Sequence, residues 1–366
     1  MLKVITILGT RPEIIKLSRV INKLDLFFDH TLVHSSQNYD YELNKIFFDT
    51  MKIRKPDYFL NTAKKNPIDT IAETLKKFNK VLIKIQPDAV LVYGDTNTSL
   101  AVLAAKKLKI PIFHMEAGNR CFDKNVPEEI NRKIVDHLSD INIVISENAK
   151  NYLQREGVDP TTIIKSGSSM KEVLNYYDDL INKSKILKKL KLSKKKYIIF
   201  SFHREENVDN KERLKEIIKS IELIQNKFKL KIIITTHPRT RYNLSKFKIN
   251  IKSRNISFLP PFGFIDYISL QKNSKLVISD SGTISEEAYL LKIPAVNMRY
   301  KHERPEADSD SLIVKSEINS KSIYDCSNLA LKLFKSNKFY KIQDYENSEI
   351  SSLIVKIIQS YTKNIY

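Results

Sequence analysis

What most limits the folds open to this chain is an alternation that runs almost its whole length. Apolar runs of strand length are followed by stretches with apolar residues three and four apart. Val4–Leu8, Thr31–Ser35, Ala89–Tyr93, Ile112–Met115 and Ile141–Ile145 read as strands, with helices over Ile68–Ile85 and Ser99–Leu108. After a lysine-rich stretch a second series begins, with strands at Tyr197–Phe202, Leu230–Thr235, Ile256–Leu259, Leu276–Ser279 and Ala295–Met298. Its helices fall at 210–227, 264–273 and 282–292. Such alternation predicts βαβ units around parallel sheets covered on both faces. The chain reads as an α/β protein of two doubly wound domains, 1–168 and 169–349, joined near 167–190. A last helical stretch, Ser351–Tyr361 within 350–366, is a candidate to rejoin the first domain.

The composition suits that reading. At 366 residues, 42% hydrophobic and 28% charged, the chain has the length and balance of a two-domain globular protein. No apolar run approaches the roughly 18 residues of a membrane span. The opening "MLKVITILGTRPE" reads as a first buried strand rather than a secretion signal, so a cytoplasmic protein without membrane attachment is expected. Cys121 and Cys326 lie far apart with no metal-ligand partners at useful spacing, which argues against a disulfide framework or a structural zinc. The formal charge of +20 is spread through the chain as lysine, without interleaved aromatic residues, and does not mark a nucleic-acid groove. It suits an anionic small-molecule partner better.

Ligands of doubly wound sheets sit outside the carboxyl ends of the strands. Five of the seven glycines, Gly9, Gly94, Gly118, Gly263 and Gly282, fall at or just beyond a predicted strand end. "LGTRPEIIK" follows the first strand, with Pro12 suited to a first helical turn and Arg11 and Lys16 near its start. It reads equally as an anion site at a helix N-terminus or as a capped helix with surface charge. In "YGDTNTSLA", Asp95 either caps the following helix or forms a site with Glu116, which follows the adjacent strand.

"HMEAGNRCFDKNVPEEINRK", residues 114–133, is unusually rich in charge. Glu128 with Arg132, and Glu129 with Lys133, have the spacing of surface ion pairs on a helix beginning near Pro127. Glu116 and Arg120 precede that helix and are not explained this way; Arg120 is a candidate substrate contact, with a structural ion-pair network as the alternative. "SFHREENVD" sets His203 at a strand end, where a histidine suits proton transfer or phosphate contact; His237 in "TTHPRT" has a weaker claim. In "ISDSGTISEEAYLLKIPAVNMRYKHERPEA", Ser281, Gly282 and Thr283 open a helix and offer N–H groups and hydroxyls to a phosphate. Glu286 or Glu287 suits ribose hydroxyls, and Arg304 supplies a cation for a diphosphate.

Taken together, "GTRPEIIK", "GDTNTSLA", "HMEAGNR", "PEEINR", "HREEN", "DSGTISEEA" and "ERPEA", in this order over residues 9 to 307, resemble the non-hydrolysing UDP-N-acetylglucosamine 2-epimerase family. The resemblance implies two Rossmann-like domains in the glycosyltransferase-B arrangement, an interdomain cleft for a UDP-activated acetamido sugar, commonly a homodimer, and no NAD or metal cofactor. It places Arg11, Lys16, Ser281, Gly282, Thr283, Glu287 and Arg304 on the UDP portion and Tyr267 near the uracil. Asp95, Glu116, Glu128 and His203 match the catalytic group, while Glu129 is left to pair with Lys133. The chemistry implied is loss of UDP and of the C2 proton to a 2-acetamidoglycal, followed by return of both.

"AGNRC" stands where the family's usual members have "AGLRT", and "SGT" replaces "SGG". "QNYDY" at 37–41 replaces a segment tied to activation by substrate. "GNRCFDKNVPEEINRKIVDH", "HREEN" and "SDSGTISEE" resemble the UDP-N-acetyl-L-fucosamine synthase subgroup, which implies UDP-2-acetamido-2,6-dideoxy-L-talose as substrate. The alternatives are interconversion of UDP-N-acetylglucosamine and UDP-N-acetylmannosamine, or a glycosyltransferase of the same architecture.

Overall fold

A computed structural model describes the chain apart from residues 37–46, 125, 252, 300, 311–312, 337–340 and 366, and the side chains of 309 and 310. The stretch 37–41 thus lies outside the described residues. The chain divides into two compact units, Met1–Tyr177 with Gln343–Tyr366, and Asp178–Ile342.

The first unit is built on β1 (Lys3–Leu8), β2 (Asp29–His34), β3 (Tyr58–Phe59), β4 (Ala89–Tyr93), β5 (Ile112–Ala117), β6 (Ile141–Val144) and β7 (Ile163–Lys165). These form one parallel sheet in the order β3-β2-β1-β4-β5-β6-β7. Every residue of β4 is buried, as its unbroken apolar sequence requires of a strand covered on both faces. Phe78, Val81 and Leu82 of the helix Pro67–Ile85 close over Ile5, Ile7, Val90 and Val92. The stretch expected as one helix over 99–108 is a 3₁₀ turn, Ser99–Ala101, running into a short α-helix, Val102–Lys107. The C-terminal helix Ile350–Tyr361 packs its buried Ile350, Ile354, Ile357 and Ile358 on the helix Arg11–Phe27.

The second unit carries β8 (Tyr197–Ser201), β9 (Lys231–Thr235), β10 (Ile256–Leu259), β11 (Leu276–Ser279), β12 (Ala295–Asn297) and β13 (Ile313–Lys315), parallel in the order β10-β9-β8-β11-β12-β13. Its core joins Ile198, Phe200, Ile232, Ile234 and Ile278 to Leu214, Ile217, Ile221 and Ile224 of the helix Lys211–Phe228.

In each sheet the strand order reverses direction once, between β1 and β4 and between β8 and β11. The loops leaving those strands diverge and open a crevice at the carboxyl ends. Gly9, Asp95, His203 and Ser281 follow these four strands directly or within a few residues. Among the described residues, no helix is long and apolar enough to cross a membrane.

Candidate active site

Several non-glycine residues of the first unit have positive φ, and among the described ones Glu116 is the one that does so within a strand. It has φ +65°, in the left-handed region, and the register of β5 against β6 shifts between Met115 and Ala117. A non-glycine residue held there costs on the order of 1 kcal/mol or more, so its surroundings must enforce it. The bulge re-aims the Glu116 side chain. Its Oε2 accepts from Lys16 Nζ at 2.7 Å and from the Tyr93 hydroxyl at 2.5 Å. Lys16 is buried with its ammonium 5.6 Å from the Tyr93 ring centroid. The cation expected on a nucleotide thus donates to a carboxylate of its own unit.

The N-terminus of the helix Arg11–Phe27 also differs from the anion site considered above. Glu13 folds back, and its Oε2 accepts the N–H groups of Gly9 at 2.6 Å and Thr10 at 2.7 Å. Its Oε1 accepts from Thr96 Oγ1 at 2.7 Å. The donors that would greet an external anion hold an internal carboxylate, while Arg11 stands half-buried beside them. Burial, only partly offset by these hydrogen bonds, pushes the Glu13 carboxyl up from 4.5 to about 7. The folded chain thus holds a proton that the unfolded chain releases above 4.5. Stability from this group is present at low pH and is lost as pH rises through about 7. The loss is on the order of 3 kcal/mol. Glu13→Gln keeps an acceptor for both N–H groups and should flatten the dependence; thermal melting of both proteins between pH 5.5 and 8.5 checks this.

The helix Pro127–Leu138 overturns the surface-pair reading of 128–133. Its buried stripe includes Glu129, Arg132 and Asp136, three and four residues apart, so these charged groups point inward. Arg132 donates through Nε to Asp95 Oδ2 at 2.6 Å and through Nη1 to Glu129 Oε2 at 2.5 Å. Glu129 also accepts the N–H groups of Cys121 and Phe122, both at 3.1 Å, while Lys133 is exposed. Burial raises the Glu129 carboxyl, but these donors outweigh it and hold the group below its ordinary range. Asp95 is thereby tied to the helix Pro127–Leu138. Its carboxylate takes Arg132, and its carbonyl takes Asn131 Nδ2 at 3.0 Å. Glu128 stands half-buried on the first turn, without an ion-pair partner among the described residues.

Arg120 is likewise corrected from substrate contact to internal clamp. Its side chain is wholly buried, with Nη1 2.7 Å from Asp136 Oδ2, Nε 2.8 Å from Glu156 Oε1 and Nη2 2.6 Å from Glu156 Oε2. Asp136 also accepts the Gly118 N–H, and His114 Nδ1 lies 2.9 Å away. The other His114 ring nitrogen is 2.8 Å from the Gly94 carbonyl oxygen, so this network ties the Gly94–Asp95 turn to the Gly118 loop. Cys121 is buried beside Glu129, and burial raises its thiol above the ordinary range, which disfavours a nucleophile.

In the second unit Asp280, which the motif reading passed over, organises the loops. Fully buried, it accepts the N–H groups of His203 and Arg204 at 3.1 Å and Asn207 Nδ2 at 3.0 Å. His203 Nδ1 lies 3.4 Å away, and the His203 ring stays 43% exposed, fixed at its base and open at its tip. An aspartate directly after an apolar strand was the available signal. His237 has a structural task, its Nδ1 accepting the Arg239 N–H at the head of the helix Pro238–Lys246.

Ser281 Oγ and Thr283 Oγ1 are 3.0 Å apart, and Thr283 Oγ1 donates to Glu287 Oε1 at 2.7 Å. Glu287 Oε2 accepts Gln271 Nε2 at 2.7 Å. Glu286 is fully buried with Arg304 Nη2 at 3.7 Å, and Arg304 is itself buried. A Cβ on Gly282 would lie 2.4 Å from Glu303 Oε1 and 3.4 Å from Arg204 Nη2, so the charged side-chain ends of Glu303 and Arg204 close in on this glycine. Arg299, 3.0 Å from Glu303, is a further buried cation here that the motif reading missed. Burial first, and then the nearby Glu287, push the Tyr267 phenol well above its ordinary range.

The chain matches the family model described as UDP-N-acetylglucosamine 2-epimerase over residues 22–359. It is 39% identical over 364 residues to a UDP-N-acetylglucosamine 2-epimerase homolog of Methanococcus maripaludis, covering 98% of this chain and 99% of that one. The solved UDP-N-acetylglucosamine 2-epimerase of Rickettsia bellii superposes with a TM-score of 0.92 at 46% identity, over 100% of this chain and 98% of that one. The enzyme of Methanocaldococcus jannaschii, solved with UDP-GlcNAc and UDP, gives a TM-score of 0.89 at 35% identity, over 98% and 99%.

Proposed function

Because the chain belongs to the UDP-N-acetylglucosamine 2-epimerase family, and is an isomerase acting at C2 of a UDP-sugar, we propose that it converts UDP-2-acetamido-2,6-dideoxy-L-talose to UDP-N-acetyl-L-fucosamine. The product would serve capsule or O-antigen synthesis, and the reaction would run in the cytoplasm. The C1–O bond breaks and UDP departs with its electron pair. The C2 proton passes to a carboxylate as the C1–C2 double bond forms. A proton then returns to the opposite face of C2, and a UDP oxygen adds back to C1. Carboxylates are suited to both halves, stabilising positive charge at C1 and exchanging the proton.

Asp95, Glu116 and Glu128 are the groups proposed for the sugar. The observation that carries this role is Glu116, a carboxylate on a left-handed residue at a strand bulge. His203, anchored by Asp280, is proposed to face the departing diphosphate. Ser281, Gly282, Thr283, Glu287, Arg304 and Tyr267 are proposed to hold the nucleotide, with Arg11 as a further cation. The L-sugar reading rests on "GNRCFDKNVPEEINRKIVDH", "HREEN" and "SDSGTISEE". Similarity to enzymes described as acting on UDP-N-acetylglucosamine supports the alternative substrate. Comparing kcat/KM on the two UDP-sugars decides: preference for the L-talo sugar supports the proposal, and preference for UDP-N-acetylglucosamine overturns it.

We also propose a homodimer. Leu103, Leu108, Ile130 and Ile134 are exposed on or beside the neighbouring helices Val102–Lys107 and Pro127–Leu138, and Phe122 is exposed in the preceding loop. Aliphatic groups gathered in this way suit burial against a second copy. Sedimentation should give twice the chain mass, and Ile130→Glu with Ile134→Glu should return a monomer.

A further inference from the structure

Tyr93 ends β4, a strand otherwise of Ala, Val and Leu, and is 4% exposed. Phenylalanine would fill nearly the same space. A buried phenol is costly unless its hydroxyl finds a partner, and here the partner is Glu116 Oε2 at 2.5 Å. Lys16 Nζ donates to the same oxygen at 2.7 Å from the helix Arg11–Phe27. Two donors on one oxygen fix the carboxylate plane and occupy that oxygen. The other oxygen, Oε1, lies by the turn that leads to Asp95, 4.0 Å from where a Cβ on Gly94 would stand.

We propose that Tyr93 is a positioning residue of the epimerisation, holding Glu116 with Lys16 so that the C2 proton is exchanged through Oε1. In that step the C2–H electron pair forms the C1–C2 double bond as the C1–O bond to UDP breaks. The proton goes to Oε1, while Tyr93 and Lys16 keep their own. Lys16 thereby serves the carboxylate rather than the nucleotide. The inference rests on the epimerase reading above and adds to it a residue that never touches the sugar.

The test is Tyr93→Phe, assayed on the better of the two UDP-sugars with C2-protiated and C2-deuterated substrate. A lost hydrogen bond to a charged group corresponds to about a tenfold fall in kcat. KM and UDP affinity should stay within about twofold, because the contact is not made to substrate. The primary deuterium isotope effect on kcat should rise, because only the proton-transfer step is slowed. Lys16→Met should act on the same oxygen, and the double variant should lose less than the product of the single losses. An unchanged kcat, a raised KM at unchanged kcat, or a fall in kcat without a larger isotope effect each overturns the proposal. A loss that vanishes on cooling, together with a lowered melting temperature, marks a merely structural hydroxyl and also overturns it. If the wild type turns over neither sugar, the epimerase reading fails and this inference falls with it.

Discussion

Glu116→Gln is expected to lower kcat by two to four orders of magnitude, the range supplied by a positioned acid or base, while UDP still binds. Glutamine can accept from Lys16 and Tyr93 in place of Oε2. It tolerates φ +65° no better and no worse than glutamate. The fold and the bulge should therefore survive, and only the capacity to carry a proton is removed. Steady-state kinetics with calorimetric titration of UDP separates the two effects. Turnover near that of the wild type would remove Glu116 from the chemistry. Lost UDP binding would mean that it holds the nucleotide.

Asp136→Ala carries the largest expected effect on stability. Asp136 is fully buried, accepts Arg120 Nη1 and the Gly118 N–H, and faces His114. Burial alone would raise its carboxyl, but His114 and Arg120 outweigh this and hold it below the ordinary range. Its contribution is therefore present at neutral pH and is lost as pH falls through the depressed value. Alanine leaves the Arg120 guanidinium with the Glu156 carboxylate and the Asn119 carbonyl, and the Gly118 N–H without its acceptor. Removing one member of a buried charge network costs about 3–5 kcal/mol, a large part of the 5–15 kcal/mol typical of a folded domain. Calorimetry should show the melting temperature lowered on the order of 10 °C. If Arg120 instead contacted substrate, the variant would melt near the wild type and show a raised KM.

Both predictions rest on contacts between residues far apart in sequence, and this divides what the chain's pattern reveals from what it hides. The long strands are legible because unbroken apolar runs such as Ala89–Tyr93 have one stable setting, a sheet covered on both sides. The site loops are legible because glycines and charged residues cluster where those runs end. The short strands β3, β7 and β13 are not, being two or three residues each, although the equally short β12 is legible within Ala295–Met298.

Charge partners were the least legible feature. Spacing alone matches Glu128 to Arg132 and Glu129 to Lys133, yet Arg132 bonds Asp95, 37 residues away, and Lys16 bonds Glu116, 100 residues away. Local spacing describes the helix surface, whereas topology decides which charges go inside. Glu13 shows the same limit at a helix start. Its sequence suited an anion site, and the acceptor of those N–H groups turned out to be its own buried carboxyl group.

The central claim is that this chain removes and returns a proton at C2 of a UDP-acetamido sugar. Proton NMR of the purified protein with UDP-2-acetamido-2,6-dideoxy-L-talose and with UDP-N-acetylglucosamine in D2O tests it directly. The account predicts an inverted product with deuterium at C2 from at least one of the two. An inverted product that keeps its C2 proton, or no change in either sugar by a folded sample that binds UDP, would contradict it.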